Sequence, residues 1–255
     1  VFKEGTYEEA MRQLVSVAAI ECDEPLPRLQ LAEAQGIGDT VTFQVSYKDC
    51  YTYLTKLSRC SNLGFRIRPD FKNKIYYFEV YEGKDRTKNQ SQNKRVTFSE
   101  VYRNLNKDTY TSNSQNYKTH AVVFGEGEGT ARTTMTATVD PTAAGWQRRE
   151  VMVDARDISS DGLTATQYQQ ALIQRGNEKL AEFGIVECLE AATLPFVNFA
   201  YKTDYDLGDI VTVEAWSIKM DKRITEIQEI YENGGFSIVP TFGSPLPESV
   251  DLSDN

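Results

Sequence analysis

Between residues 119 and 242 the chain is cut repeatedly by Gly, Pro, Asn and Asp. The short runs left between these breaks, residues 119–124, 133–139, 148–153, 210–216 and 236–242, are rich in Val, Ile, Thr and Phe. Runs of this length and composition, bounded by turn residues, are strands, and such strands gain stability only by pairing around a shared core. Their number and spacing predict a small, mainly antiparallel, β-barrel-like module. One helix interrupts the series. It opens on a capping box, Thr164 with Gln167, carries Tyr168, Ala171, Leu172, Leu180 and Phe183, and is closed by Gly184. A helix over about 164–183, covering one end of the barrel, is the expectation. For residues 224–231 the apolar spacing of Ile224, Ile227 and Tyr231 would suit a helix. Their β-branched content and the turn residues that follow favour a strand of a hairpin instead.

Residues 1–90 read differently. A second capping box, Thr6 with Glu9, starts a helix whose apolar face is Tyr7, Ala10, Met11, Leu14 and Ala18. Val41, Phe43 and Val45 alternate with polar residues as in a half-buried strand. Ser46 or Asp49 then caps a helix carrying Cys50, Tyr53, Leu54, Leu57 and Cys60, which Gly64 ends. Residues 64–68 and 75–81 flank the turn-rich Pro69-Asp70-Phe71-Lys72-Asn73 and should pair as a hairpin. The polar stretch 88–94, with Asn89, Gln90 and Gln92, reads as an exposed linker or loop.

The chain is therefore expected to be α+β. A small α+β module spans residues 1–90, a mainly antiparallel β-barrel-like module with one inserted helix spans 91–243, and a flexible acidic tail spans 244–255. With 40% hydrophobic and 11% aromatic residues the chain can bury a real core. Its net charge is -9 and its basic residues are scattered, so tight binding to nucleic acid lacks an electrostatic source. No stretch approaches the roughly 20 apolar residues of a membrane span. Residues 1–9 do not read as a signal segment, so neither export by that route nor membrane insertion is expected. Cys22, Cys50, Cys60 and Cys188 show no metal-ligand spacing and read as buried free thiols, compatible with synthesis in a bacterial cytoplasm.

Few residues suggest chemistry. His120 is the single histidine, which removes two-histidine zinc sites and leaves one candidate base. It reads as a surface or strand-end residue. Gly125-Glu126-Gly127-Glu128-Gly129 resembles a phosphate loop, but its two glutamates repel an anion and no helix signal follows, so it reads as a loop between strands. Glu150, Asp154 and Asp157 gather carboxylates as a glycosidase or a calcium site would. Arg156 between the two aspartates points instead to an ion-paired turn. Asp204, Asp206 and Asp209 precede an apolar strand, with Gly208 where a turn needs a positive φ, so turn geometry accounts for them better than calcium does. No catalytic residue, metal site or cofactor is expected, and no binding residue is assigned.

A series of segments, in order, resembles the siphophage tail-hub proteins of the Gp37-like family, relatives of myophage baseplate-hub proteins. The series runs from Tyr81-Glu82-Gly83-Lys84-Asp85-Arg86-Thr87 through Asn116-Tyr117-Lys118 and Ala121-Val122-Val123-Phe124-Gly125-Glu126-Gly127 to Arg149-Glu150-Val151-Met152-Val153-Asp154-Ala155-Arg156-Asp157-Ile158. It continues with the helix holding Leu172 and Leu180, Tyr205-Asp206-Leu207-Gly208-Asp209-Ile210-Val211-Thr212-Val213, Arg223-Ile224-Thr225-Glu226-Ile227 and Pro240-Thr241-Phe242-Gly243.

The resemblance covers about residues 5–243. It implies a structural subunit of a phage or prophage tail tip, a homotrimeric ring below the tail tube that contacts tube proteins and tip or receptor-binding proteins and takes part in host attachment. It also implies a place in the virion, with DNA passing through without tight binding, and further β segments ahead of Val1. The competing readings are a tail-associated wall-degrading enzyme, carried by the carboxylates near Asp154, and a module that grips cell-surface glycans through exposed aromatics.

Overall fold

The computed structural model describes residues 2–45, 49–193, 198–216, 218–232 and 235–244. In chain order the elements are β1 (Phe2–Thr6), α1 (Tyr7–Val15), β2 (Leu29–Leu31), β3 (Thr40–Phe43), α2 (Cys50–Ser61), β4 (Gly64–Asp70), β5 (Ile75–Tyr81), β6 (Thr97–Ser99) and β7 (Leu105–Asn113). They continue with β8 (His120–Phe124), β9 (Thr134–Thr138), β10 (Glu150–Asp154), α3 (Ala165–Glu182), β11 (Val186–Thr193), β12 (Ile210–Ala215), β13 (Ile218–Glu232) and β14 (Gly235–Ser244). The class is α+β, with more strand than helix.

The chain divides into two units that are not consecutive in sequence. The first joins Val1–Glu82 to Asn116–Gly184, and the second joins Gly83–Gln115 to Ile185–Asn255. A single boundary near residue 90 does not describe this arrangement. The stretch 88–94 is a loop tied down by hydrogen bonds rather than a free linker. Lys88 donates from its main chain to Thr212 and from Nζ to Glu214, while Asn89 Nδ2 donates to Asp221, all within the second unit. The tail expected over 244–255 lies outside the described residues apart from Ser244.

In the first unit both capping boxes form as read. Thr6 and Glu9 satisfy each other's main-chain amides at the start of α1, and Thr164 and Gln167 do so at the start of α3. Asp49 caps α2 by accepting from the Thr52 amide at 2.7 Å. That helix is ended by Asn62 in the left-handed conformation, φ 57°, while Gly64 already belongs to β4. A strand the sequence did not suggest, β1, pairs antiparallel with β3, whose Val41, Thr42 and Phe43 are all buried. Glu8, also buried, accepts from the amides of Gln35 and Ile37 and so pins the loop between β2 and β3 to α1. The expected hairpin forms from β4 and β5, and β2 adds to it in parallel.

The strands β8, β9 and β10 were expected to share a barrel with the later ones. They form their own sheet, ordered β10-β8-β9, in the first unit. There α3 packs on them, and with Ala121, Val123, Ala137, Val153 and Leu172 they make a separate apolar cluster. The physical reason is size. Ala121 and Ala137 offer almost no side chain, and a Cβ added at Gly176 of α3 would lie 2.7 Å from the Ala137 Cβ, so helix and sheet meet nearly backbone to backbone.

The second unit is one six-stranded sheet ordered β6-β12-β13-β14-β11-β7. All pairings are antiparallel except β6 with β12. Residues 218–232 are a strand, as read against the helical spacing. One cluster, including Phe98, Leu105, Leu189, Val213, Ile224 and Phe242, draws side chains from every strand. Phe98 is its centre, with the rings of Tyr205 and Phe242 at 5.2 and 5.1 Å. The outermost strands, β6 and β7, follow each other in the chain. Between them Asn104, buried, accepts from the Ser99 amide at 2.7 Å and donates to the Thr97 carbonyl at 2.9 Å.

Candidate functional site

His120 opens β8, at a strand end, and is 5% exposed, so of the surface or strand-end position expected for it the structure gives a buried strand end. Its Nδ1 lies 2.9 Å from the Thr119 hydroxyl, the arrangement of a base beside a nucleophile. That hydroxyl is spoken for, however. It accepts from the Arg149 amide, donates to the Arg149 carbonyl, and belongs to a residue only 2% exposed. No substrate carbonyl can approach it. The loop 125–129 joins β8 to β9, and its Glu126 accepts from the amide and hydroxyl of Ser160. Those bonds hold the Glu126 carboxyl below the usual range and leave an anion facing a negative charge.

The carboxylate group at the end of β10 is an ion-paired turn. Arg156 donates to Asp154 from Nε and Nη2, at 2.9 and 2.5 Å, and Arg132 donates to the same carboxylate at 2.9 Å. Bonding to Arg156, through side chain and amide, lowers the Asp154 pKa to about 2. A carboxyl held there stays ionised and cannot serve as the protonated partner in glycoside cleavage. Asp157 faces a different cation, Arg175 of α3, at 3.0 and 3.1 Å. Glu150 pairs with Arg148. The three carboxylates therefore serve three separate ion pairs.

In the second unit Asp209, 3% exposed, is the hub of a turn. It accepts from the Lys84 amide at 2.7 Å, the Arg86 guanidinium at 2.6 Å and the Asp206 amide at 3.0 Å. Gly208 beside it has φ 90°, the left-handed conformation expected there. Asp204 instead takes Lys94 Nζ and the Ala200 amide. Among the described residues no group of three or more His, Cys, Asp or Glu side chains is placed to hold a metal ion.

One polar cluster escaped the sequence reading. On the inner face of α3, Gln174 and Glu178 lie at 6% and 2% exposure. Tyr7 donates to Gln174 at 3.0 Å, Tyr53 donates to both oxygens of Glu178, and Gln174 donates to Glu178 at 3.3 Å. Burial raises the Glu178 pKa, against the opposing pull of Arg175, and burial also pushes Tyr7 up to about 12. Cys60 sits nearby and burial takes its thiol to about 12, far from a reactive thiolate. Of the four free cysteines only Cys188 is fully buried; Cys22, Cys50 and Cys60 are partly so. The cluster is a closed hydrogen-bonded core, chemically a tie between helices.

Solved structures provide counterparts to this fold. The 43 kDa tail protein of prophage MuSo2 from Shewanella oneidensis is similar over 95% of this chain and 68% of its own, with a TM-score of 0.53 at 7% identity. The tail protein from Neisseria meningitidis MC58 is similar over 94% of this chain and 67% of its own, with a TM-score of 0.50 at 14% identity. At such identities the likeness is one of fold. The class defined here is thus an α+β protein with the fold of these two tail proteins. A family model described as Siphovirus ReqiPepy6 Gp37-like protein matches residues 2–244, and the chain belongs to that family. No curated protein matches the sequence.

Proposed function

We propose that the chain is a non-enzymatic structural subunit of a bacteriophage or prophage tail tip or baseplate hub, with three copies forming a ring that joins the tail tube to tip or receptor-binding proteins. The observation that carries this reading is family membership over residues 2–244.

The second unit supplies a suitable building block. In a flat six-stranded sheet the outer strands would stand about 24 Å apart. Here Asn104 bonds to Thr97 and Ser99 just before β7 begins, which brings the start of β7 near β6 and supports a curled sheet. A core fed by all its strands fits a barrel-like wall. The candidate sites support a structural role too: among the described residues, Asp154, one of the carboxylates that suggested the wall-degrading alternative, is ion-paired and held ionised, and Thr119 and His120 are enclosed.

The charge of -9 suits a ring through which DNA passes, since a negative lumen repels phosphate. In this reading the protein resides in the virion; no helix among the described residues is long and apolar enough to cross a membrane. Light scattering on the purified chain tests the proposal. A molar mass of three copies is expected, whereas a monomer at the highest attainable concentration overturns the ring. Retention of duplex DNA at low salt would overturn the non-adhesive lumen.

A further inference from the structure

In the first unit the sheet of β2, β5 and β4 runs out beyond its own core. The face that buries Phe78 and Val80 continues along the strands to Ile67 and Tyr76, which are 51% and 48% exposed. Phe71, at the turn of the hairpin, is 85% exposed, and Lys72 and Lys74 beside it are exposed as well. The loop that leads into β2 reaches the same end of the sheet, because the Tyr76 amide donates to the Arg28 carbonyl at 3.0 Å. That loop exposes Glu21, Asp23 and Glu24 together with Leu26, itself 58% exposed. Arg28 and Asp70 are the other charges there, and Asp70 is already occupied by the amide and side chain of Asn73.

One end of the unit thus combines an apolar ledge with a basic turn on one side and an acidic loop on the other. We infer that this end docks a second copy of the chain, the lysines of one copy facing the carboxylates of the next while Phe71 and Leu26 meet across the contact. The occupant follows from charge. Two copies at -9 repel each other overall, so a contact between them must be made where opposite signs can be brought together, and this patch carries both halves of its own complement. A head-to-tail contact of acidic loop on basic turn also uses unlike surfaces, the kind that closes rings. The inference rests on the assembly reading above and adds the residues that make the contact.

Sedimentation of the full chain, with Phe71→Ser and with Lys72→Glu/Lys74→Glu, tests it. Each variant changes exposed tip residues and should keep the parent's far-UV circular dichroism. Each should weaken association by roughly tenfold or more. Combining Lys72→Glu/Lys74→Glu with Asp23→Lys/Glu24→Lys in one chain should restore association, because every turn then again meets a loop of opposite charge. If the parent assembles and both variants assemble equally well, the contact lies elsewhere and the inference falls while the ring survives. If the parent never associates, ring and contact fall together.

Discussion

The Tyr53 hydroxyl donates to both carboxylate oxygens of Glu178, at 3.0 and 3.1 Å, across 125 residues of chain. Tyr53 lies on α2 and Glu178 on α3, so this bond ties the first stretch of the first unit to the stretch that returns later. The carboxylate has little water around it, and its partners are two neutral donors, Tyr53 and Gln174, with Arg175 at 3.8 Å. Removing it and replacing it should have opposite consequences.

Glu178→Ala leaves the Tyr53 hydroxyl and the Gln174 amide buried without their acceptor and should cost about 2–4 kcal/mol. Glu178→Gln keeps an acceptor and removes the buried charge, so at alkaline pH it should equal or exceed the parent in stability. The sign follows from burial: a folded pKa raised above 4.5 means that the native state holds the proton more tightly than the unfolded chain. This contribution is fully present below 4.5 and is lost as pH rises through the raised value. Denaturant titrations across that window should show the parent losing stability relative to Glu178→Gln. Parallel curves would refute the assignment.

Gly176→Ala should destabilise the protein even though alanine is the better helix former. The new methyl would lie 2.7 Å from the Ala137 Cβ and 2.9 Å from Val123 Cγ2, and the alanine has no rotamer with which to retreat. Overpacking of this kind costs about 1–3 kcal/mol, against roughly 1 kcal/mol of helix propensity gained. A lower thermal midpoint is expected, together with faster amide exchange in β9.

Asp209→Ala should be the more damaging change in the second unit. It strands the Arg86 guanidinium, 13% exposed, and two main-chain amides, a loss on the order of 3–5 kcal/mol. Asp209→Asn retains an acceptor and should lose less. Hydrogen exchange at Lys84 and Asp206 reads the difference directly: protection at both amides should disappear in the alanine variant.

Much of this fold could be read locally. Thr6 with Glu9, Thr164 with Gln167, Asp49 before Cys50 and the turn at 69–73 all act within a few residues, and each appears where its chemistry required. Sheet membership was not local. Nothing within the run 119–124 says which strands flank it, and β7, with its Asn, Lys, Asp, Thr and Ser, lacks an apolar alternation to mark it as a strand. A faint signal did exist for β8 and β9: Ala121, Ala137 and a mid-helix Gly176 are the residues needed where a helix lies directly on a sheet. The Glu178 cluster was hidden because its partners come from distant segments. Even so, Gln174 and Glu178 stand one turn apart on the face that also carries Ala171, a polar intrusion on a core stripe.

The interleaved chain path has a mechanical corollary. Because the first unit is built from Val1–Glu82 and Asn116–Gly184, the polypeptide passes between the units at Glu82–Gly83, Gln115–Asn116 and Gly184–Ile185. A force pulling one unit from the other is borne by all three peptide strands in parallel, and one proteolytic cut at any of them leaves the other two holding. During synthesis the same path imposes a delay: Tyr7 and Tyr53 emerge early, but their hydroxyls have no buried acceptor until α3 has been made. Such weaving gives the chain redundancy under load, at the cost of a first unit that can close only late.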